Sequence, residues 1–141
     1  MADRFSGLGV NLGNLARMSD AKSRSISPEN FTGAQNAGGM ATEGTGAVPG
    51  RDLGQGWKIS PSVEIAPGEV FTLGEVEGPG AIQQILMTVS DAPWRNLILR
   101  IHWDGQERPS VECPLGDFFA NGWEVYAPVN SLALCVNPGR A

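Results

Sequence analysis

Apolar and polar residues alternate with a period of two along two neighbouring stretches of the chain. Leu97, Leu99, Ile101 and Trp103 alternate with Ile98, Arg100 and His102, and Val111, Cys113 and Leu115 alternate with Ser110, Glu112 and Pro114. This is the pattern of half-buried strands, and the turn signal Asp104-Gly105 lies between them, so residues 96–119 are predicted to form a hairpin. A two-residue loop at Asp104-Gly105 would set Leu99 opposite Ser110, placing apolar residues of one strand beside polar residues of the other. A bulge or a three-residue loop instead puts Leu99 beside Val111 or Pro109 and Leu97 beside Cys113 or Val111. The expectation is therefore a bulged turn.

The chain before the hairpin has a different texture. Leu8, Leu12 and Leu15 have helical spacing, but Gly9 and Gly13 interrupt them at about 1 kcal/mol each, so any helix in residues 1–22 is short and needs a docking surface. Residues 23–56 show almost no alternation and contain glycines throughout, which predicts a long loop region. Ile26, Phe31, Met40 and Val48 mix there with Glu29, Asn30, Thr32, Gln35 and Asn36, a composition suited to lining a polar pocket rather than to a disordered linker.

After Trp57 short strand-like runs recur between Pro and Gly turns, at residues 62–65, 70–73, 81–89, 125–129 and 132–136, with no helical period. The reading is an all-β fold, an antiparallel β-sandwich of jelly-roll type, with a glycine-rich N-terminal loop region and a short N-terminal helix. The boundary falls between an arm at residues 1–56 and the sandwich at residues 57–141. The final apolar run reaches Val136 and a turn at Asn137-Pro138-Gly139, with only Arg140 and Ala141 after it. That arrangement predicts either an open edge, which invites pairing with another chain, or a longer protein.

Composition narrows the functional classes. The 141 residues are 41% hydrophobic, as in globular proteins, and the net charge of -5 with ten basic residues speaks against a nucleic-acid partner. No run approaches the roughly 18 apolar residues of a membrane span. The opening residues lack the apolar core of a signal peptide, so no membrane partner is expected and the localisation reads as cytoplasmic. Cys113 and Cys135 are too few for a four-ligand zinc site and read as buried free thiols; neither a metal nor a cofactor is expected. His102 has no nucleophile nearby in the sequence and reads as a half-exposed packing residue rather than a catalyst. The glycines of residues 38–46 lack the Gly-Lys-Ser/Thr ending of a phosphate loop, and Asn30-Phe31-Thr32 matches a glycosylation acceptor by chance.

Sugar recognition combines flat apolar faces with convergent amide and carboxylate groups. Trp94, Phe118 and Trp123 lie in predicted loops where an aromatic platform is useful, whereas Trp57 and Trp103, at strand ends, read as core. Glu112 and Asp117 are the carboxylates best spaced to share a rim. The plainer readings are stronger: Glu112 as a strand residue paired to an arginine, and Asp117 as a turn cap or a ligand for sugar hydroxyls.

Several motifs occur in an order that carries a resemblance: Ser25-Ile26-Ser27, Glu29-Asn30 with Thr32-Gly33, GGMATEGTGA, Glu77-Gly78-Pro79-Gly80, Trp103-Asp104-Gly105, Pro109-Ser110-Val111-Glu112, Pro114-Leu115-Gly116-Asp117-Phe118-Phe119 and Val136-Asn137-Pro138-Gly139-Arg140. The chain resembles glycoside hydrolase family 172, which contains difructose-anhydride synthase/hydrolase, α-D-fructofuranosidases and D-arabinofuranosidases. Phe31 departs from the pattern, standing where the family usually has proline. The resemblance implies a jelly roll, the first of two per subunit, assembled into homo-oligomeric trimers or hexamers with active sites at subunit junctions. It also implies a carbohydrate substrate and catalytic glutamates beyond the last residue of this chain, so no catalytic residue is assigned. Substrate contacts are expected from Glu29, Asn30, Thr32, Gly33, Trp94, Asp117 and Phe118. The alternative is a non-catalytic jelly roll that binds carbohydrate or self-assembles.

Overall fold

The hairpin expected from alternation is present in the computed structural model, which describes residues 11–90, 94–131 and 134–137. Strand β1 (Ile98–Ile101) pairs antiparallel with β2 (Val111–Pro114), and Leu99 faces Cys113 while Ile101 faces Val111. Apolar residues thus meet across the ladder, but two or four positions away from the expected partners. Leu99 is opposite neither Val111 nor Pro109, and the Leu97 carbonyl accepts from Leu115 N–H at 2.8 Å.

The tip explains the difference. Gln106 N–H donates to the Trp103 carbonyl at 3.0 Å, and Asp104 and Gly105 have φ of 50° and 72°, the positive pair that a tight two-residue turn needs. Continuing that turn would pair Ile101 with Arg108. Ile101 pairs with Val111 instead, so Glu107, Arg108 and Pro109 are looped out on the returning arm. Alternation tolerates any even shift and does not choose among them.

The described residues are mostly non-helical, with two small antiparallel sheets that do not close: β1–β2, and β3 (Val129–Asn130) with β4 (Cys135–Val136). Residues 62–65, 70–73 and 81–89, expected as strands, have no ladder partner. In residues 85–89 the alternation survives as burial alone, with Ile85, Met87 and Val89 half-buried and Leu86 exposed. From Asn11 the predicted N-terminal helix is a run of turns with Leu12 and Leu15 exposed. Leu8 and Gly9 of that prediction lie outside the described residues, as do Leu132, Ala133, Pro138, Gly139 and Arg140. No helix among the described residues is long and apolar enough to cross a membrane.

The chain divides into two compact units, Met1–Ala81 and Ile82–Ala141. In the first, the buried apolar residue is Ile59, and the glycine-rich stretch wraps it. Gly46 N–H donates to the Ile59 carbonyl at 2.8 Å, and the one-turn helix α1 (Ala47–Gly50) follows. A Cβ at Gly44 would come within 2.6 Å of Ser60, one at Gly46 within 2.9 Å of the Ile59 carbonyl, and one at Gly50 within 2.6 Å of Ile59 Cδ1. Gly44 and Gly46 are required because backbone packs directly against backbone there, whereas Gly50 meets only the tip of the isoleucine side chain.

In the second unit, Leu99, Leu115 and Val136 are the buried apolar residues and Asn121 the buried polar one. Two readings are corrected here. Trp57 and Trp103 are 57% and 44% exposed rather than core, because both lie outside the paired strands, Trp57 in the loop region and Trp103 at the hairpin turn. Both cysteines are free, but Cys113 is half-buried and Cys135 exposed, its Sγ donating to Asn130 Oδ1 at 3.0 Å. His102 is exposed, with Nδ1 3.1 Å from the Gln106 carbonyl.

Candidate functional site

In the second unit, β2 passes directly into α2 (Leu115–Phe118), a single helical turn that presents Asp117. Leu115 and Gly116 are buried on its inner side. Trp94 packs there: a Cβ on Gly116 would lie 3.0 Å from Trp94 Cβ, and Gly116 N–H donates to the Trp94 carbonyl at 3.3 Å. The Trp94 ring meets Tyr126 edge-on at 4.7 Å, and Phe118 meets Phe119 edge-on at 5.1 Å. Trp94 and Phe118 are therefore half-buried packing partners as well as candidate platforms.

Asp117 reaches the next residue along. Its Oδ2 is 3.3 Å from an Arg95 guanidinium nitrogen, and the same guanidinium stands 5.4 Å from the centroid of the Trp123 ring. Arg95 thus links a carboxylate to an indole that is 85% exposed. The other Asp117 oxygen, Oδ1, is buried without a hydrogen-bond partner. Ala120, Trp123 and Glu124 have φ near +60°, left-handed conformations that cost non-glycine residues about 1–2 kcal/mol apiece. Asn121 holds this loop: its N–H donates to the Gly116 carbonyl at 2.8 Å, and its Oδ1 accepts from Ala127 N–H at 3.3 Å. Strain in a loop that displays an aromatic face marks it as a candidate binding surface.

In the first unit, residues 27–34 form a self-bonded loop. Ser27 and Asn30 exchange backbone hydrogen bonds, and the Asn30 side chain accepts from Thr32 Oγ1 and Ala34 N–H while donating to the Ala34 carbonyl at 2.9 Å. Glu29 Oε1 accepts from Ser60 N–H, tying the loop to the segment at Ile59, and Glu29 Oε2 is buried without a partner. Phe31 meets Phe71 edge-on at 5.8 Å, so the side chain that departs from the family pattern has a packing role.

The substrate contacts read from the sequence therefore divide between units: Glu29, Asn30, Thr32 and Gly33 in the first, Trp94, Asp117 and Phe118 in the second. Arg95 was not anticipated, because an arginine beside a turn has no periodic signal. Glu112 is engaged by Arg100 at 2.7 Å across the ladder, the arginine partnership expected for it. Among the described residues, no three His, Cys, Asp or Glu side chains gather as a metal site.

These features belong to a β-rich domain with an aromatic and charged loop surface. The family comparison identifies it: the GH172 domain-like model matches residues 58–139, and the chain belongs to that family. The match takes in the hairpin, α2, Arg95 and Trp123. No curated protein matches the chain.

Proposed function

We propose that this chain is the N-terminal segment of a glycoside hydrolase acting on furanosides, with α-D-fructofuranoside or D-arabinofuranoside linkages as substrate. The family match over residues 58–139 carries the reading. In it, residues 1–56 form an arm, residues 57–141 contribute to a jelly-roll sandwich, and the chain supplies substrate contacts and oligomer surface. Glu29, Asn30, Thr32, Gly33, Trp94, Asp117 and Phe118 contact sugar, and Arg95 and Trp123 join them.

The catalytic carboxylates come from outside residues 1–141. A retaining glycosidase needs two carboxyl groups about 5–5.5 Å apart, one held protonated until it delivers its proton. Glu112 and Asp117 are instead each engaged in an ion pair with an arginine, Arg100 and Arg95 respectively. Incubating the chain with p-nitrophenyl fructofuranoside and arabinofuranoside is expected to give no turnover. Turnover abolished by Glu112→Gln or Asp117→Asn would overturn this assignment.

A second reading, a non-catalytic module that binds carbohydrate or self-assembles, is favoured by the exposed apolar residues Ile98, Trp103, Trp123, Val125 and Leu134. Light scattering combined with a sugar-binding titration tests it: self-association agrees with both readings, and a monomer that still binds sugar leaves only the binding module.

A further inference from the structure

Within the first unit lies an open, solvent-facing cavity of about 280 Å³, lined by the exposed residues Ser23, Arg24, Ser25, Gln35 and Asn36 and the half-buried Asn30. Its polar groups are largely unspent. The Ser23 and Ser25 hydroxyls and the Gln35 and Asn36 amides make no hydrogen bond among the described residues, and Arg24 uses one guanidinium nitrogen on the Ser23 carbonyl at 2.8 Å. Arg24 has no carboxylate partner there, and no acidic residue lines the cavity. Asn36 sits at φ 60°, a left-handed conformation that asparagine tolerates better than most side chains.

An unpaired guanidinium among hydroxyl and amide donors, in a chain of net charge -5, is a donor set for an oxyanion. Charge-assisted bonds from arginine to carboxylate or phosphate are about twice as strong as neutral ones. The volume lies near the lower limit of small-molecule pockets, roughly 300 Å³, which suits one sugar ring and its substituent rather than an oligosaccharide. We infer that this cavity binds a monosaccharide bearing an oxyanion, phosphate or carboxylate, with Arg24 on the anion and Gln35 and Asn36 on the hydroxyls. The sugar half of the inference rests on the furanoside reading; the anion half does not.

Titration calorimetry of the 141-residue protein with fructose 6-phosphate, glucuronate, inorganic phosphate and fructose tests it. The expected result is that at least one of the two anionic sugars binds at least tenfold tighter than fructose, that Arg24→Gln removes the difference, and that Arg51→Gln leaves it intact. Which of the two binds tighter identifies phosphate or carboxylate as the anion. In labelled protein, the amide signals of Ser25, Gln35 and Asn36 should move on titration, a readout that needs no variant. Fructose binding as tightly as the anionic sugars would overturn the anion site while sparing the furanoside reading. Absence of binding by all four would overturn the cavity as a site, with the furanoside assay still standing on its own.

Discussion

The two units are held together by different means. Around Ile59, order comes from glycines that let backbone approach backbone, from Glu29 bound to Ser60 N–H, and from the Thr45 and Ser62 hydroxyls 2.8 Å apart. Around Leu99, order comes from a strand ladder, a one-turn helix and three buried apolar side chains. The first arrangement depends on what is missing from residues, the second on what they bury. A position that must lack a side chain is intolerant of any addition, whereas a buried apolar position is graded by the volume removed.

This contrast can be broken most sharply at Gly46. Gly46→Val places a side chain 2.9 Å from both the Ile59 carbonyl and Pro61 Cδ, and should cost more than about 3 kcal/mol and open the first unit to proteolysis while the hairpin amides stay protected from exchange. The reverse experiment is Leu99→Ala, expected to cost about 2–3 kcal/mol in denaturant unfolding of the second unit, because Leu99 is 8% exposed. Equal loss of protection in both units from either variant would abolish the distinction.

Smaller effects sharpen it. Asn121→Ala leaves Ala127 N–H without its acceptor and should cost about 1–2 kcal/mol by the same unfolding measurement, with Trp123 fluorescence shifting first. Ala120→Gly should raise stability by up to about 1 kcal/mol, since its φ of 59° burdens alanine and not glycine. Glu112→Gln removes an exposed ion pair and should change stability by less than about 1 kcal/mol, less still at high salt.

The hairpin was legible because alternation records which face is buried, and Asp104-Gly105 names its own turn. Its register was not, since looping out one residue or the three observed, Glu107, Arg108 and Pro109, gives the pattern the same parity. The strands expected over residues 62–89 show the limit of alternation: a period of two reports a buried face, while a strand also needs a neighbour for its amides. For the glycine-rich stretch, composition excluded a phosphate loop but gave no hint that Gly44, Gly46 and Gly50 close around Ile59, several residues downstream. Of the residues around α2, Asp117 could be named from its motif. Arg95, which joins it to Trp123, emerged only from geometry.

Pro114 closes β2 and Leu115 opens α2, with no residue between them to act as slack. The bearing of the Asp117 carboxylate is therefore geared to the twist of the hairpin: a small rotation of the ribbon swings that side chain, and with it the Arg95 clasp. Anything that grips the far tip at Asp104-Gly105 holds a lever whose short arm ends on a carboxylate.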